Sequence, residues 1–238
     1  MEIADSAIIL GTIEVKNNNN IVKMFTQDYG LVSVYLASGT KKKSARNAVL
    51  QPLSICQVVY FNNKNTSIPK LKEANIETPL LSIQMDIYKS TIALFLSDFL
   101  QMVLPKDQED GLFDFLCNSI KIFNEIEDGK INYHLTFLLK ISKWLGIQPT
   151  LNKERNNFFD LKEGLFLIGT PNHPYYLSST ETQIFAQFLL CNWSNIGCIK
   201  LTGIQRRKLL NSLIKYYTFH ISGFRKPKSL TILEEVFS

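Results

Sequence analysis

Residues 7–36 read AIILGTIEVKNNNNIVKMFTQDYGLVSVYL, and this stretch decides the fold class of the N-terminal part. It contains three short runs rich in Ile, Leu and Val. The polar turn Asn17–Asn20 separates the first run from the second, and Asp28-Tyr29-Gly30 separates the second from the third. Short apolar runs bounded by turn residues are typical of β-strands. The spacing therefore predicts strands over Ala7–Val15, Ile21–Phe25 and Leu31–Leu36.

Two further strands are predicted before residue 80. Leu53–Phe61 and Ile68–Ile76 follow a long polar loop over residues 37–48, and Asn62–Ser67 lies between them. Five short strands with a long loop after the third fit a small Greek-key barrel. On pattern alone, an OB-fold and an SH3-like barrel fit nearly equally well.

From Leu80 onward the apolar residues recur at helical spacing, and two capping-box patterns, Ser178-x-x-Glu181 and Thr202-x-x-Gln205, predict helix starts. Ile147–Leu177 interrupts this pattern with several Gly and Pro residues, and within it only Leu165–Ile168 resembles a strand. We therefore predict an α+β, multi-domain protein. A barrel domain covers residues 1–80, and an all-helical domain covers residues 81–238 with a loop-rich insert at 147–177.

The charge is unevenly distributed along the 238 residues, whose formal net charge is +5. Residues 1–80 carry 9 Lys and Arg against 6 Asp and Glu, residues 81–200 carry 10 against 13, and residues 201–238 carry 7 against 2. Both ends are therefore basic and the middle is acidic. A polyanion such as DNA is attracted to the basic ends, because Lys and Arg release the counterions condensed on its phosphates.

No apolar run reaches the roughly 18 uninterrupted residues of a membrane span, since charged residues break even Leu80–Leu104. The first five residues are acidic where a secretory signal is basic. We expect a cytoplasmic protein without membrane contact.

The cysteines and histidines are too scattered to predict a metal site, and no phosphate-binding loop or nucleophile motif is present. Two acidic clusters, Asp107/Glu109/Asp110 and Glu125/Glu127/Asp128, are the only enzyme-like features. The first fits a helix N-terminus and the second a turn before Gly129. We therefore expect no enzymatic activity, no cofactor and no bound metal.

The loop after the third predicted strand is the first candidate DNA-binding segment. It carries four cations, Lys41, Lys42, Lys43 and Arg46, among small and hydroxyl-bearing residues. Small barrels bind single strands by joining a basic groove to aromatic stacking rings. Tyr35 is the predicted stacking residue. Phe25, Tyr29 and Tyr60 are also near in sequence, although some of these rings must belong to the core. A plain solvated loop is the alternative interpretation.

A second basic surface is predicted on the helix that begins near Thr202, and its residues are Arg206, Arg207, Lys208 and Lys215. Lys208, Asn211 and Lys215 share the face turned away from the apolar stripe of that helix. This surface suits either DNA or an acidic peptide. Favourable solvation near a helix C-terminus is the alternative explanation.

The order and spacing of several segments resemble the bacterial RecO family of DNA repair proteins along nearly the whole chain. The N-terminal segments are Phe25-Thr26-x-x-x-Gly30, Gly39-x-Lys41 with Ser44, and Leu50-Gln51-Pro52-Leu53. The C-terminal segments are Arg206-Arg207-Lys208-Leu209-Leu210, Tyr216-Tyr217-x-x-His220-x-x-Gly223-Phe224, Lys228-Ser229-Leu230 and the Glu234–Phe237 finish.

The resemblance implies an N-terminal OB-fold, a helical C-terminal domain, and binding and annealing of DNA without bond-making chemistry. It implies action at the nucleoid together with RecR, in which single-strand-binding protein on gapped DNA is replaced by RecA. It also implies that the helical domain recognises the acidic C-terminal tail of single-strand-binding protein. We place that contact, as a hypothesis, on the helix of Arg206, Arg207 and Lys208.

One departure from the family concerns zinc. Some members carry a four-cysteine zinc module in the region equivalent to Ile147–Leu177, but this segment contains no cysteine. The insert is therefore expected to be held by packing of its apolar and aromatic side chains, Phe158, Phe159, Leu165, Phe166, Tyr175 and Tyr176. Apart from the resemblance, an OB-fold RNA-binding module, a metal-dependent nuclease and a protein adaptor remain as alternatives.

Overall fold

The computed structural model describes residues 1–15, 19–36, 48–62, 68–107, 109–150 and 157–237. It contains two compact units, Met1–Asn124 and Glu125–Ser238. The first unit holds the five N-terminal strands and the helices that follow them directly. The units therefore do not divide the chain at the change from strands to helices, and the domain boundary at residue 80 stays a prediction.

The N-terminal strands close into a barrel. They are β1 (Glu2–Val15), β2 (Asn19–Thr26), β3 (Gly30–Leu36), β4 (Ile55–Phe61) and β5 (Lys70–Thr78). The strand order is β1-β2-β3-β5-β4, and β1 closes the barrel by pairing with β4 as well as β2. This is the Greek-key order of an OB-fold. The predicted α+β class with an N-terminal OB-fold is confirmed.

Alternation of buried and exposed residues explains why these strands form a barrel. Val22 and Met24 of β2 and Val34 and Leu36 of β3 point into the barrel core. Strand β1 begins five residues before its predicted start, because residues 2–8 pair with β4. This part was not predicted as a strand because it contains the polar residue Asp5. The Asp5 side chain is buried and accepts a hydrogen bond from the Asp28 backbone N–H.

Helical segments cover one side of the barrel in the first unit. They are α1 (Leu81–Met85), α2 (Ile87–Val103) and α3 (Leu112–Glu125). The Gln101 side chain donates a 2.6 Å hydrogen bond to the Leu10 carbonyl. At Gly30, which has a φ of 67°, a Cβ atom would lie 2.5 Å from the Lys106 carbonyl oxygen. Only glycine fits there, which gives a physical reason for Gly30 in the Phe25-Thr26-x-x-x-Gly30 segment.

The second unit combines helices with a small sheet. Its elements are α4 (Tyr133–Trp144), β6 (Phe158–Asp160), β7 (Leu165–Leu167), β8 (Tyr176–Leu177), α5 (Ser179–Leu190), α6 (Gly203–His220) and α7 (Leu230–Val236). The capping boxes predicted at Ser178 and Thr202 are confirmed at the starts of α5 and α6. Among the helices that the structure describes, none has the length and apolar character needed to cross a bilayer.

The insert forms a three-stranded sheet of order β7-β6-β8, whereas the sequence suggested a single strand there. Strands of two or three residues are too short to show a period. The Phe159 ring packs 4.8 Å from Phe166 and 4.4 Å from Phe185 of α5, measured between ring centroids. This confirms the expected aromatic packing, but Leu165 is wrong as a packing residue because it is 53% exposed.

Candidate nucleic-acid interface

Tyr35 lies on the outer face of the barrel. Its neighbours in β3, Val34 and Leu36, are buried in the barrel core, so the Tyr35 side chain points outward and is half-buried. The Tyr35 backbone N–H donates a 2.7 Å hydrogen bond to the Pro69 carbonyl, which joins β3 to the start of β5. The backbone at Tyr35 is therefore fixed by β5, and its side chain lies on the outer face, where a stacking residue is needed.

The four cations predicted to bind DNA follow Tyr35 closely in the chain. Strand β3 ends at Leu36, and Lys41, Lys42, Lys43 and Arg46 lie in residues 37–47, outside the described residues. Their role in DNA binding stays a prediction.

The structure shows which of the other aromatic candidates are buried and which is exposed. Tyr60 is 2% exposed and belongs to the barrel core, where burial raises its pKa to about 12. Phe25 is also buried, and its ring stacks on Phe113 of α3 at 6.4 Å between centroids. Neither ring is free to stack on a base. Tyr29, in the turn before β3, is exposed.

Two side chains next to Tyr35 in the sheet are not among the residues predicted from the sequence. Lys70 of β5 is the register partner of Tyr35, and Phe61 of β4 is the partner of Lys70. The short polar segment Asn62–Ser67 between two predicted strands is the sequence signal that could have identified this pair. It predicts a hairpin, and a hairpin places the residues that flank its turn on neighbouring strands.

Three of the four residues of the predicted second basic surface lie exposed on α6: Arg207, Lys208 and Lys215. Arg206 does not belong to this surface, which corrects the prediction. It is 7% exposed, and its guanidinium donates to the Asn132 side-chain oxygen at 2.9 Å and to the Leu201 carbonyl at 3.1 Å. Helical spacing explains this, because Arg206 lies one turn before Leu210 on the inward stripe.

Lys208 and Lys215 occupy different surroundings along α6. Lys208 lines a pocket of about 180 Å³ between α5 and α6, and the apolar part of its wall is Leu177, Ile184 and Leu209. The Lys215 ammonium lies 4.9 Å from the ring centroids of both Tyr175 and Phe219. Contacts of this kind favour a cation at the surface. The second surface therefore combines positive charge with apolar and aromatic groups.

The residues of the insert do not fit a zinc module. The segment lacks cysteine, and over the described ranges no three His, Cys, Asp or Glu side chains converge as metal ligands. Asp160 instead has structural partners. One of its carboxylate oxygens lies 3.1 Å from His173 Nε2, and the other accepts the backbone N–H groups of Lys162 and Glu163.

The second acidic cluster has structural partners as well. Glu127 forms a 2.8 Å ion pair with Lys130, and Asp128 lies 3.4 Å from the Lys200 ammonium. Two of its three carboxylates therefore form ion pairs with nearby lysines.

Comparison with known proteins identifies the family. The family described as "Recombination protein O N terminal" matches residues 1–80, and "Recombination protein O C terminal" matches residues 84–230. The chain belongs to the RecO family of DNA repair proteins. The DNA repair protein RecO of Flavobacterium psychrophilum is 34% identical over 241 residues, covering 100% of both chains. The RecO proteins of Azobacteroides pseudotrichonymphae and Bacteroides fragilis are 32% and 31% identical, each over 97% of both chains.

Proposed function

We propose that the chain is a DNA repair and recombination mediator that binds single- and double-stranded DNA. The observation that carries this proposal is the outward position of Tyr35 on an OB-fold barrel, directly before the segment with Lys41, Lys42, Lys43 and Arg46. An aromatic ring beside a cluster of cations is the combination that single-strand-binding barrels use. Membership of a DNA repair family supports the same assignment.

Annealing of complementary strands is the proposed activity, and it needs no catalytic residue. In this proposal the segment with Lys41, Lys42, Lys43 and Arg46 binds one strand and the exposed cations of α6 bind the other, so that one protein holds both. Holding both strands raises their effective concentration. Neutralised phosphates also repel each other less, so pairing is faster and sensitive to salt. We therefore propose a non-enzymatic role at the nucleoid.

The proposed partners follow from the family resemblance: RecR, single-strand-binding protein and, indirectly, RecA. In this proposal residues 1–80 bind DNA, and the helical residues 81–238 receive the acidic tail of single-strand-binding protein. The pocket beside Lys208 is the proposed receptor for such a tail, because Leu177, Ile184 and Leu209 supply apolar contacts and the exposed ammonium attracts carboxylates. Glu181 also lines this pocket, so the carboxylates of the tail must lie nearer to Lys208. Arg207 lies next to Lys208 on the same exposed helix surface.

The test is fluorescence annealing of complementary oligonucleotides, with and without a coating of single-strand-binding protein, across a salt series and with EDTA. The wild-type protein should accelerate annealing, and the rate should fall with salt and survive EDTA. Charge reversal of Lys41, Lys42 and Lys43 to Glu should reduce the rate about tenfold or more, because each lost phosphate contact weakens binding. Lys162→Glu, an exposed reversal in the other unit, is the charge control.

Absence of binding and annealing at low salt would overturn the proposal in favour of a protein adaptor. An unchanged rate for the triple reversal would remove the loop from the interface. Degradation of the oligonucleotides that requires Mg²⁺ would instead support the nuclease alternative.

A further inference from the structure

A row of outward-facing side chains crosses three strands of the barrel, starting from Tyr35. Lys70 of β5 is the register partner of Tyr35 on one side and of Phe61 on the other. The adjacent residues Leu36, Leu71 and Tyr60 all point into the core. Since successive residues of a strand face opposite sides, Tyr35, Lys70 and Phe61 lie together on the outer face.

Phe61 presents a large apolar ring on this face, and the residue is 40% exposed. The Lys72 ammonium lies 5.5 Å from the ring centroid and forms a 2.8 Å ion pair with Glu2. Lys70 differs from Lys72. It is exposed, and in the part of the chain that the structure describes no carboxylate lies within 4.0 Å of its ammonium. The row therefore presents one available positive charge between two aromatic rings.

This arrangement matches a single nucleic-acid strand better than a duplex. Neighbouring strands are about 4.8 Å apart, so the backbones at Tyr35 and Phe61 are separated by about 10 Å across β5. That distance is the rise of roughly three stacked nucleotides. Rings gain stacking energy only from bases whose faces are accessible, and in a duplex those faces are covered by neighbouring base pairs. Lys70 can pair with a phosphate of either form.

We propose that a single strand crosses the barrel over β3, β5 and β4, with bases stacked on Tyr35 and Phe61 and a phosphate at Lys70. OB-folds commonly bind oligonucleotides over β2 and β3. In this chain the row leads from β3 in the other direction, toward β4. The proposal rests on the proposed DNA-binding function and adds to it a path and a preference for single strands over duplex.

Anisotropy titrations of the full chain with a fluorescent 20-nucleotide single strand and with the matching duplex test this path. Phe61→Ala and Tyr35→Ala should each weaken single-strand binding about 5- to 100-fold and change duplex binding less than about twofold. Lys70→Ala should weaken binding to both forms and lower the salt slope by about one contact. Ile76→Ala is the matched control. Ile76 is, like Phe61, an exposed apolar strand residue, but it lies in β5 six positions from Lys70.

Phe61→Trp is a second test of stacking at this position and can be used if Phe61→Ala folds poorly. Its larger ring should retain single-strand affinity, and bound bases should quench its fluorescence. Wild-type affinity in Phe61→Ala, or equal losses for single strand and duplex, would overturn the path. If wild-type protein binds and anneals DNA while the row variants behave like Ile76→Ala, this path fails and the proposed function stands. If wild-type protein binds no DNA, the proposed function fails.

Discussion

Most aromatic rings of the second unit lie in its interior, whereas two rings of the barrel lie on its outer face. In the barrel, Tyr35 and Phe61 face outward, while the core is mainly aliphatic: Val22, Met24, Val34, Val58 and Leu71. In the second unit the rings are turned inward and pack on one another: Phe159, Phe166, Phe185, Tyr216 and Tyr217. The face of the element on which a ring lies, rather than its residue type, therefore decides whether the ring stabilises the fold or is available to a ligand.

The difference also shows how the insert can be held without a metal. Phe159 connects the insert to two helices, through Phe185 of α5 and through Tyr216 of α6, which is 5.9 Å away. The Tyr216 hydroxyl donates a hydrogen bond to the Ile147 carbonyl at the start of the insert. Burial raises the pKa of Tyr216 to about 12, so this hydroxyl remains a donor at neutral pH. Aromatic packing therefore joins the insert to the rest of its unit.

Removal of an inward ring should have the largest effect. Phe159→Ala should lower the free energy of unfolding of the second unit by about 3–5 kcal/mol, because it leaves a cavity between packed rings. Urea unfolding followed by tryptophan fluorescence checks this, since both tryptophans of the chain, Trp144 and Trp193, lie in that unit. Leu165→Ala, in the same insert but exposed, should change stability by less than about 0.5 kcal/mol. Equal losses in the two variants would contradict the comparison.

A smaller effect should separate two adjacent arginines of α6. Arg206→Ala should destabilise the unit by about 2–3 kcal/mol, because it removes the donor to the buried Asn132 oxygen and to the partly buried Leu201 carbonyl. Arg207→Ala should stay within about 0.5 kcal/mol of wild type, because Arg207 is exposed. Urea unfolding with tryptophan fluorescence measures both.

Arg207 and its exposed neighbour Lys208 test the proposed tail-binding surface. Arg207→Glu combined with Lys208→Glu should weaken binding of an acidic tail peptide without loss of stability, as measured by anisotropy. Lys162→Glu should leave peptide binding unchanged. Unchanged peptide affinity in the double reversal would remove the α6 surface from the proposal.

The smallest effect concerns the buried residue His134 of the second unit and appears at acidic pH. Burial, aided by the charge of Arg206, lowers the pKa of His134 to about 3, against an ordinary value of 6.5. Between these values the unfolded chain binds a proton that the folded chain does not, so stability falls as the pH falls. The loss is about 1.4 kcal/mol per pH unit, or roughly 2 kcal/mol from pH 6.5 to pH 5.

His134→Gln should flatten this dependence, because glutamine does not titrate. Urea midpoints at pH 7 and pH 5 for both proteins provide the measurement. Parallel pH profiles would show that another group is responsible.

Local patterns were sufficient for much of the architecture. Strand runs, turn residues and capping boxes depend on residues close in sequence, so the five-strand barrel and the starts of α5 and α6 were predicted correctly. The insert sheet was missed because strands as short as Tyr176–Leu177 have no period and are stabilised by pairing with Phe158–Asp160. The early start of β1 was missed because its pairing with β4 outweighed the polar character of Asp5.

For the candidate interface, composition indicated the kind of ligand and the packing indicated which side chains are available to it. Clustered lysines and aromatic residues are visible in the linear chain, and they suggested a polyanion before any fold was known. Tyr35 and Tyr60 are both strand tyrosines, and Arg206 and Arg207 are consecutive, yet one member of each pair is buried and the other is not. Strand register and helix rotation against the core separate them, because burial depends on contacts between residues far apart in the chain.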